Sequence, residues 1–120
     1  METESVKELS RSIEIDAPAA RVWAVLTDFP NYGEWNPMIR RIEGDLRPGT
    51  RLSFDGVITG ERTMKIRPTL LAVEPERELR WLGSLGVRGL FDGEHRFRLE
   101  SLAPDRTRLD QSERFTGLLV

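Results

Sequence analysis

The 120-residue chain contains no cysteine and only one histidine, His95. Without cysteine it forms no disulfides, offers no thiolate nucleophile and lacks the sulfur ligands of zinc and iron–sulfur sites. One histidine among scattered carboxylates gives no metal-ligand spacing, so we expect no metal site. The same absence argues against an exported, disulfide-stapled scaffold, and we therefore expect the protein in the cytoplasm.

The chain also lacks an excess of charge of either sign. Eighteen Lys and Arg residues stand against twenty Asp and Glu residues, for a net charge of −2, and the two signs are interleaved. Because no basic patch results, we expect no nucleic-acid partner. No apolar run approaches the ~20 residues that a membrane-spanning helix needs, and the N-terminal "METESVKELSRS" is polar and acidic. We therefore expect neither a signal peptide nor a membrane segment.

The first third of the chain changes its hydrophobic period. Leu9 and Ile13 belong to an alternating pattern that predicts a strand over residues 7–15. The pattern of "DAPAARVWAVLTD" then predicts a short helix, with Asp16 as its cap. Asp28 is positioned to cap a second helix of one or two turns. Two short helices are therefore expected directly after the first strand.

Strands predominate in the rest of the chain. We expect six of them, near residues 38–44, 51–58, 63–73, 77–82, 92–101 and 106–115. Because the connections are short, the seven strands should form one antiparallel sheet in a single α+β domain covering residues 1–120. Pro68 cannot donate to a strand ladder, so we expect a bulge or an edge at that position.

The stretch "DGEHRFRLE" places the single histidine on the inner face of a strand. Alternation assigns to that face His95, Phe97 and Leu99 on one strand and Leu109, Gln111 and Glu113 on the next. An antiparallel register that pairs Leu99 with Leu109 sets His95 opposite Glu113. The pattern therefore predicts a polar cluster on an otherwise apolar inner face.

This cluster has two interpretations. His95 and Glu113 can be a mutually satisfied structural pair, because buried polar groups must find partners. They can equally line a pocket, where His95 would be an acid or base oriented by Glu113, although no positioned nucleophile accompanies them. The sequence leaves both interpretations open.

Several apolar residues are candidates for a pocket wall as well as for the core. The aromatic candidates are Trp35, Phe54, Trp81 and Phe91. The stretch "GSLGVRG" lacks the Lys-Ser/Thr ending of a phosphate loop and joins two strands, so we expect no cofactor there. Its Leu85 and Val87 fit either a lid over a pocket mouth or the tip of a hairpin.

The order of these elements resembles that of a known superfamily. "WNP" at 35–37, "GLFDGEHRF" at 89–97 and "TRLDQSERFTGLLV" at 107–120 follow a strand and two short helices in the order typical of the SRPBCC superfamily. The chain is most similar to its polyketide cyclase/dehydrase and lipid-transport branch, which is related to START domains and the birch pollen allergen fold.

The resemblance implies a helix-grip fold, in which a curved seven-stranded antiparallel sheet wraps a long C-terminal helix and leaves an apolar cavity between them. The sequence stops where that helix would begin, and it ends in the apolar "GLLV". We therefore expect a domain truncated before the helix, with an uncovered inner face and a tendency to form homodimers.

The expected function is the binding of a hydrophobic small molecule, such as a lipid, a polyketide or an aromatic compound. The residues expected to bind it are Trp35, Phe54, Trp81, Phe91, His95, Phe97, Leu99, Gln111 and Glu113. One alternative is a cyclase or dehydratase that uses His95 and Glu113. Another is a protein-interaction module that uses the open face.

Overall fold

The computed structural model describes residues 5–84 and 92–117. Its strands are β1 (Ser5–Ile15), β2 (Ile39–Glu43), β3 (Ser53–Thr59), β4 (Arg62–Ile66), β5 (Thr69–Glu74), β6 (Glu78–Ser84), β7 (Asp92–Ala103) and β8 (Arg106–Gly117). Two helices, α1 (Ala19–Leu26) and α2 (Tyr32–Trp35), follow β1 and are separated by a 3-10 turn at Phe29–Asn31. The predicted order of strand, two short helices and strands is confirmed.

The strands form two antiparallel sheets. One has five strands in the order β1-β8-β7-β6-β5, and the other has three strands in the order β2-β3-β4. A bridge between Arg51 and Thr69 connects the sheets, and the Leu52 amide donates to the Pro68 carbonyl over 2.7 Å. The two sheets are therefore neighbouring parts of one curved wall.

The division at Pro68 corrects the predicted strand count. The single strand expected over 63–73 is two strands, β4 and β5, so the described residues contain eight strands where seven were expected. Pro68 has no amide hydrogen and lies in the gap between the two strands. The predicted irregularity at this residue is therefore a change of sheet.

Neither Asp16 nor Asp28 accepts a capping hydrogen bond from a helix amide, as was expected of them. Pro18 is the N-cap of α1, and no side-chain hydrogen bond caps the helix, because Asp16 lies too far upstream. Asp28 precedes the 3-10 turn without capping it, and its carboxylate accepts a hydrogen bond from the Asn31 amide over 2.8 Å. These helices are held by packing, since short helices have little stability of their own.

Tyr32, the first residue of α2, is fully buried and holds the two helices together. Its hydroxyl donates to the carbonyl of Leu26 at the end of α1, and burial raises the pKa of the phenol well above its usual range. Thr107 of β8, also fully buried, donates to the Ala17 carbonyl over 2.8 Å. The first hydrogen bond joins α2 to the end of α1, and the second joins the residue before Pro18 to the five-stranded sheet.

The core lies on the inner face of the curved wall. Its buried members are Val22, Leu26, Phe29, Tyr32, Ile42, Leu52, Phe54, Leu70, Leu79, Trp81, Phe97 and Leu99. Leu9 and Ile13 share that face through their pairing with β8, yet they are 50% and 55% exposed. The inner face is therefore open along β1, as the sequence predicts.

Within the two described ranges the longer of the two helices, α1, has eight residues. In this part of the chain no helix has both the length and the apolar character needed to cross a membrane.

Candidate functional site

His95 and Glu113 are directly opposite each other on β7 and β8. The observed register pairs Phe97 with Gln111 and Leu99 with Leu109 on the same face. This confirms the register predicted from alternation. It follows because a shift of one residue would turn every inner side chain outward. Next to the connection at residues 104–105, a bulge between Ser101 and Ala103 shifts the pairing by one residue, and the pairs from His95 to Leu99 lie beyond it.

The imidazole of His95 lies beside two aromatic rings and is partly exposed. Its centroid lies 5.9 Å from that of Trp81, with the planes tilted by 31°, and 6.3 Å from that of Phe115, edge to face. Its Nδ1 lies 3.4 Å from Oε1 of Glu113, a distance at the long limit of hydrogen bonding. Burial lowers the pKa of His95 below its usual value, and the negative charge of Glu113 offsets part of that effect.

Two adjoining cavities open on this part of the inner face. The smaller, of about 200 Å³, is lined by Phe54, Met64, Ile66, Pro68, Trp81, Gly83, Ser84, Gly93, His95 and Phe115. The larger, of about 290 Å³, is lined by Asn36, Met38, Ile39, Phe54, Gly56, Val57, Met64, Ile66, Trp81, His95, Phe97, Gln111 and Glu113. Because they share lining residues from both sheets, they form one space closed on one side by β3 and β4 and on the other by β6, β7 and β8.

The structure brings together most of the predicted site residues. Phe54, Trp81 and His95 line both cavities, and Phe97, Gln111 and Glu113 line the larger one. Three polar residues of the larger cavity therefore come from β7 and β8, and a fourth, Asn36, comes from the segment after α2.

Two of the candidates stand apart from this space, and a third lies outside the described residues. Trp35 packs on Tyr32, with ring centroids 4.8 Å apart, and lines neither cavity, while its side chain is 44% exposed. Leu99 is buried in the core one pair farther along β7 than Phe97. Phe91, together with the possible lid residues Leu85 and Val87, lies outside the described residues.

Sequence reasoning missed the glycines that open the smaller cavity. Gly83 of β6 and Gly93 of β7 are paired directly, and both line it. A Cβ on Gly83 would meet Pro68 at 3.5 Å, and one on Gly93 would meet the ring of Phe115 at 3.3 Å. The available signal was a glycine inside each alternating strand, which marks a close approach of backbone or ligand.

The wall contributed by β4 was also missed. Met64 and Ile66 line both cavities, although most residues of β4, "RTMKI", are exposed.

Across residues 5–84 and 92–117, no group of three or more His, Cys, Asp or Glu side chains is placed to hold a metal ion.

Solved structures share this architecture. A START superfamily protein from Mycobacterium smegmatis superposes with a TM-score of 0.74 at 23% identity, over 90% of this chain and 75% of that one. The Zhui aromatase/cyclase from Streptomyces sp. R1128 gives 0.70 at 22% identity, over 92% and 68%. Norcoclaurine synthase from Thalictrum flavum gives 0.72 at 15% identity, over 97% and 72%. These likenesses confirm the helix-grip fold.

The family of the chain is shown by its sequence, because structural neighbours of such low identity show only the fold. No curated protein sequence matches the chain. A family model described as polyketide cyclase / dehydrase and lipid transport, however, matches residues 7–120. Since that range is nearly the whole chain, the protein belongs to the polyketide cyclase/dehydrase and lipid-transport family.

Proposed function

We propose that the protein binds a hydrophobic small molecule, such as a lipid, a polyketide or an aromatic compound, in the space between its two sheets. The observation that carries the proposal is the composition of the joined cavities. Apolar side chains from both sheets surround a polar cluster made of His95, Gln111 and Glu113, and Asn36 and Ser84 are the other polar lining residues. Small-molecule sites in proteins have this balance, with few polar groups that fix orientation.

The size of the space supports the same function. The larger cavity alone, at about 290 Å³, is close to the lower end of the ~300–1,000 Å³ typical of ligand sites, and the smaller one adjoins it. Trp81 is 2% exposed and Phe54 is 5% exposed, with their rings edge to face at 5.2 Å. Rings held this firmly form a wall that exists before the ligand arrives, which reduces the entropy cost of binding.

A second candidate function is catalysis by a cyclase or dehydratase. It is favoured by one observation, a histidine whose pKa is lowered by burial and which lies beside a carboxylate, the arrangement of a general base. One structural neighbour is named an aromatase/cyclase, and another was solved with dopamine and hydroxybenzaldehyde. Binding is the more general proposal, because the fold hosts both classes and catalysis requires binding first.

Native mass spectrometry of the freshly purified protein tests the proposal. We expect a copurified small molecule on the wild type and much less of it on Gly83→Val, whose added side chain would occupy the smaller cavity. Ser101→Val is the matched control, because Ser101 is an exposed strand residue on β7, away from both cavities. Equal occupancy in wild type and Gly83→Val would contradict binding in this space.

If nothing copurifies, the same three proteins are titrated with 2-naphthol by calorimetry. Binding to wild type and Ser101→Val with loss in Gly83→Val would support the proposal. Absence of binding to all three would overturn it for small aromatic ligands.

A further inference from the structure

Charge is distributed unevenly between the two sheets. Residues 39–67, which form the three-stranded sheet and its connections, contain seven Lys and Arg against four Asp and Glu, a net charge of +3. The remainder of the chain, with eleven Lys and Arg against sixteen Asp and Glu, carries −5. Because the two signs are interleaved along the sequence, this surplus becomes visible only when each residue is assigned to its sheet.

The surplus lies on the outer face of the three-stranded sheet, since the inner face is apolar. Arg41, Asp55 and Lys65 form one row across its three strands. Asp55 pairs with Lys65 at 2.8 Å, and Glu43 pairs with Arg41 at 3.2 Å. The two carboxylates of this face are therefore already neutralised by neighbouring cations.

Arg51 and Arg67 supply positive charge beyond these pairs. Each is followed by a buried residue, Leu52 or Pro68, so by alternation both arginine side chains point outward. Nε of Arg51 donates to the carbonyl of Arg67 over 3.2 Å, which places the two arginines side by side. Among the described residues, neither guanidinium forms an ion pair with a carboxylate.

Exposed leucines adjoin this pair of arginines. Leu71 of β5 follows the fully buried Leu70, so its side chain points outward, and it is 38% exposed. The loop that precedes β3 is fixed on β5, because the Gly49 amide donates to the Leu70 carbonyl over 2.7 Å. That loop carries Leu46, which is also 38% exposed, and Arg47. We call this surface the arginine–leucine corner, and its members are Leu46, Arg47, Arg51, Arg67 and Leu71.

The outer face of the five-stranded sheet is different, because its arginines have acidic partners. Glu78 lies 3.3 Å from Arg80 and 3.4 Å from Arg98. Glu8 lies 3.5 Å from Arg114. Positive charge on that face is thus offset locally, whereas Arg51 and Arg67 remain available to an external anion.

We propose that the arginine–leucine corner docks the protein on a bilayer of anionic phospholipids. Guanidinium groups bind phosphate oxygens in a bidentate manner, and leucine side chains enter the boundary between headgroups and acyl chains. A bilayer surface offers both partners side by side, whereas a nucleic acid offers phosphates without an apolar layer. The whole chain has a net charge of −2, so the attraction has to be local to this surface.

This inference goes beyond the proposed function and does not depend on it. The corner lies on the outer face of the curved wall, and the cavities open on the inner face. Docking on a bilayer and binding of a small molecule can therefore be tested separately.

Cosedimentation with sucrose-loaded vesicles tests the docking. The wild type should sediment with vesicles of equimolar phosphatidylcholine and phosphatidylglycerol, and it should stay in the supernatant with phosphatidylcholine alone. Raising the salt concentration to about 0.5 M should release it, because salt screens charges at exposed sites. Equal binding to the two kinds of vesicle would overturn the inference.

Two matched double variants locate the surface. Arg51→Gln/Arg67→Gln should weaken vesicle binding by about 25-fold, at roughly fivefold for each arginine. Arg108→Gln/Arg114→Gln removes the same charge from the outer face of β8, where both arginines have acidic partners, and should change binding by about twofold at most. Equal losses in the two double variants would show that net charge, and not the corner, attracts the protein.

Leu46→Asn tests the apolar part of the corner. Its vesicle binding should be weaker than that of the wild type, while the dependence on salt stays the same, because no charge is removed. Unchanged binding would overturn the role of the leucine. Circular dichroism of each variant checks that it is folded, and the salt dependence of the wild type tests the inference without any substitution.

Two further measurements separate docking from other events. Gly83→Val, whose side chain would occupy the smaller cavity, should bind vesicles as the wild type does. Loss of vesicle binding in that variant would mean that lipid enters the cavity, which would overturn docking at the corner and support the proposed function. Binding of a fluorescent DNA duplex in the absence of vesicle binding would also overturn the inference.

Discussion

Gly83 and Gly93 lie directly opposite each other on β6 and β7, inside two strands whose other inner residues are large. On one side of the pair stand Trp81 and His95, themselves paired across the same strands. Both glycines line the smaller cavity, and other side chains pack against them: Pro68 and Ile66 at Gly83, and Phe115 at Gly93. Substitution of either glycine should change the cavity. Because the two glycines have different neighbours, we expect different effects on the free energy of unfolding.

Gly83→Ala should raise the free energy of unfolding by about 0.5 kcal/mol, because alanine loses less conformational entropy than glycine in a strand. Its Cβ would meet Pro68 and Ile66 at ordinary contact distances of 3.5 and 3.7 Å. Affinity for a cavity ligand should fall at the same time. Urea unfolding and calorimetry measure the two effects, and a gain in affinity would contradict the assignment of Gly83 to the cavity wall.

Gly93→Ala should be less stable than Gly83→Ala. Its Cβ would lie 3.3 Å from the Phe115 ring, so the ring has to move before the methyl group fits. Urea unfolding of the two variants side by side provides the comparison. If Gly93→Ala proves the more stable of the two, Phe115 does not pack against this glycine as described.

The single histidine should titrate below the usual value of about 6.5. Burial lowers the pKa of His95, whereas the charge of Glu113 raises it, and burial is the larger effect. Glu113→Gln removes the raising effect, so the pKa should fall further in that variant. One imidazole resonance followed by NMR across the acidic range measures both, and a higher pKa in Glu113→Gln would show that the two groups do not interact as described.

The lowered pKa of His95 also predicts how stability depends on pH. Between the folded and unfolded pKa values the unfolded chain binds more protons, so stability falls as pH drops below about 6.5 and levels off below the folded pKa. His95→Gln lacks this contribution. The stability advantage of the wild type over His95→Gln should therefore shrink between pH 7.5 and pH 5 in urea unfolding. An advantage that grows on acidification would mean that folding raises the pKa.

His95→Gln also separates binding from catalysis. Glutamine retains hydrogen-bonding groups but cannot exchange protons near neutral pH. If the protein only binds its ligand, affinity should change by about 1 kcal/mol. If it is a cyclase or dehydratase that uses His95, turnover should fall by about 10²-fold or more while binding is retained. Unchanged turnover in the folded variant would remove His95 from the catalytic candidates.

Much of this arrangement could be predicted because it depends on local periodicity. Side chains alternate across a strand, and the register that turns the apolar residues of both strands inward pairs Leu99 with Leu109. The pairing of His95 with Glu113 therefore followed from the sequence of β7 and β8. The two helices followed from a change of period, and the irregularity at Pro68 followed from its missing amide hydrogen. Family membership, fold class and the polar cluster of the site were therefore accessible from the sequence.

The sequence by itself determined which residues face inward, whereas the tertiary structure decided which of them meet. Trp35 and Leu99 are apolar residues of the kind that line pockets. Trp35 nevertheless packs on Tyr32, and Leu99 lies in the core. Met64 and Ile66 come from a largely exposed strand, yet they form the wall opposite His95 because the chain changes sheet at Pro68. Periodicity along a strand carries no information about the curvature that brings β4 over β6 and β7, since that curvature arises from packing between residues distant in the chain.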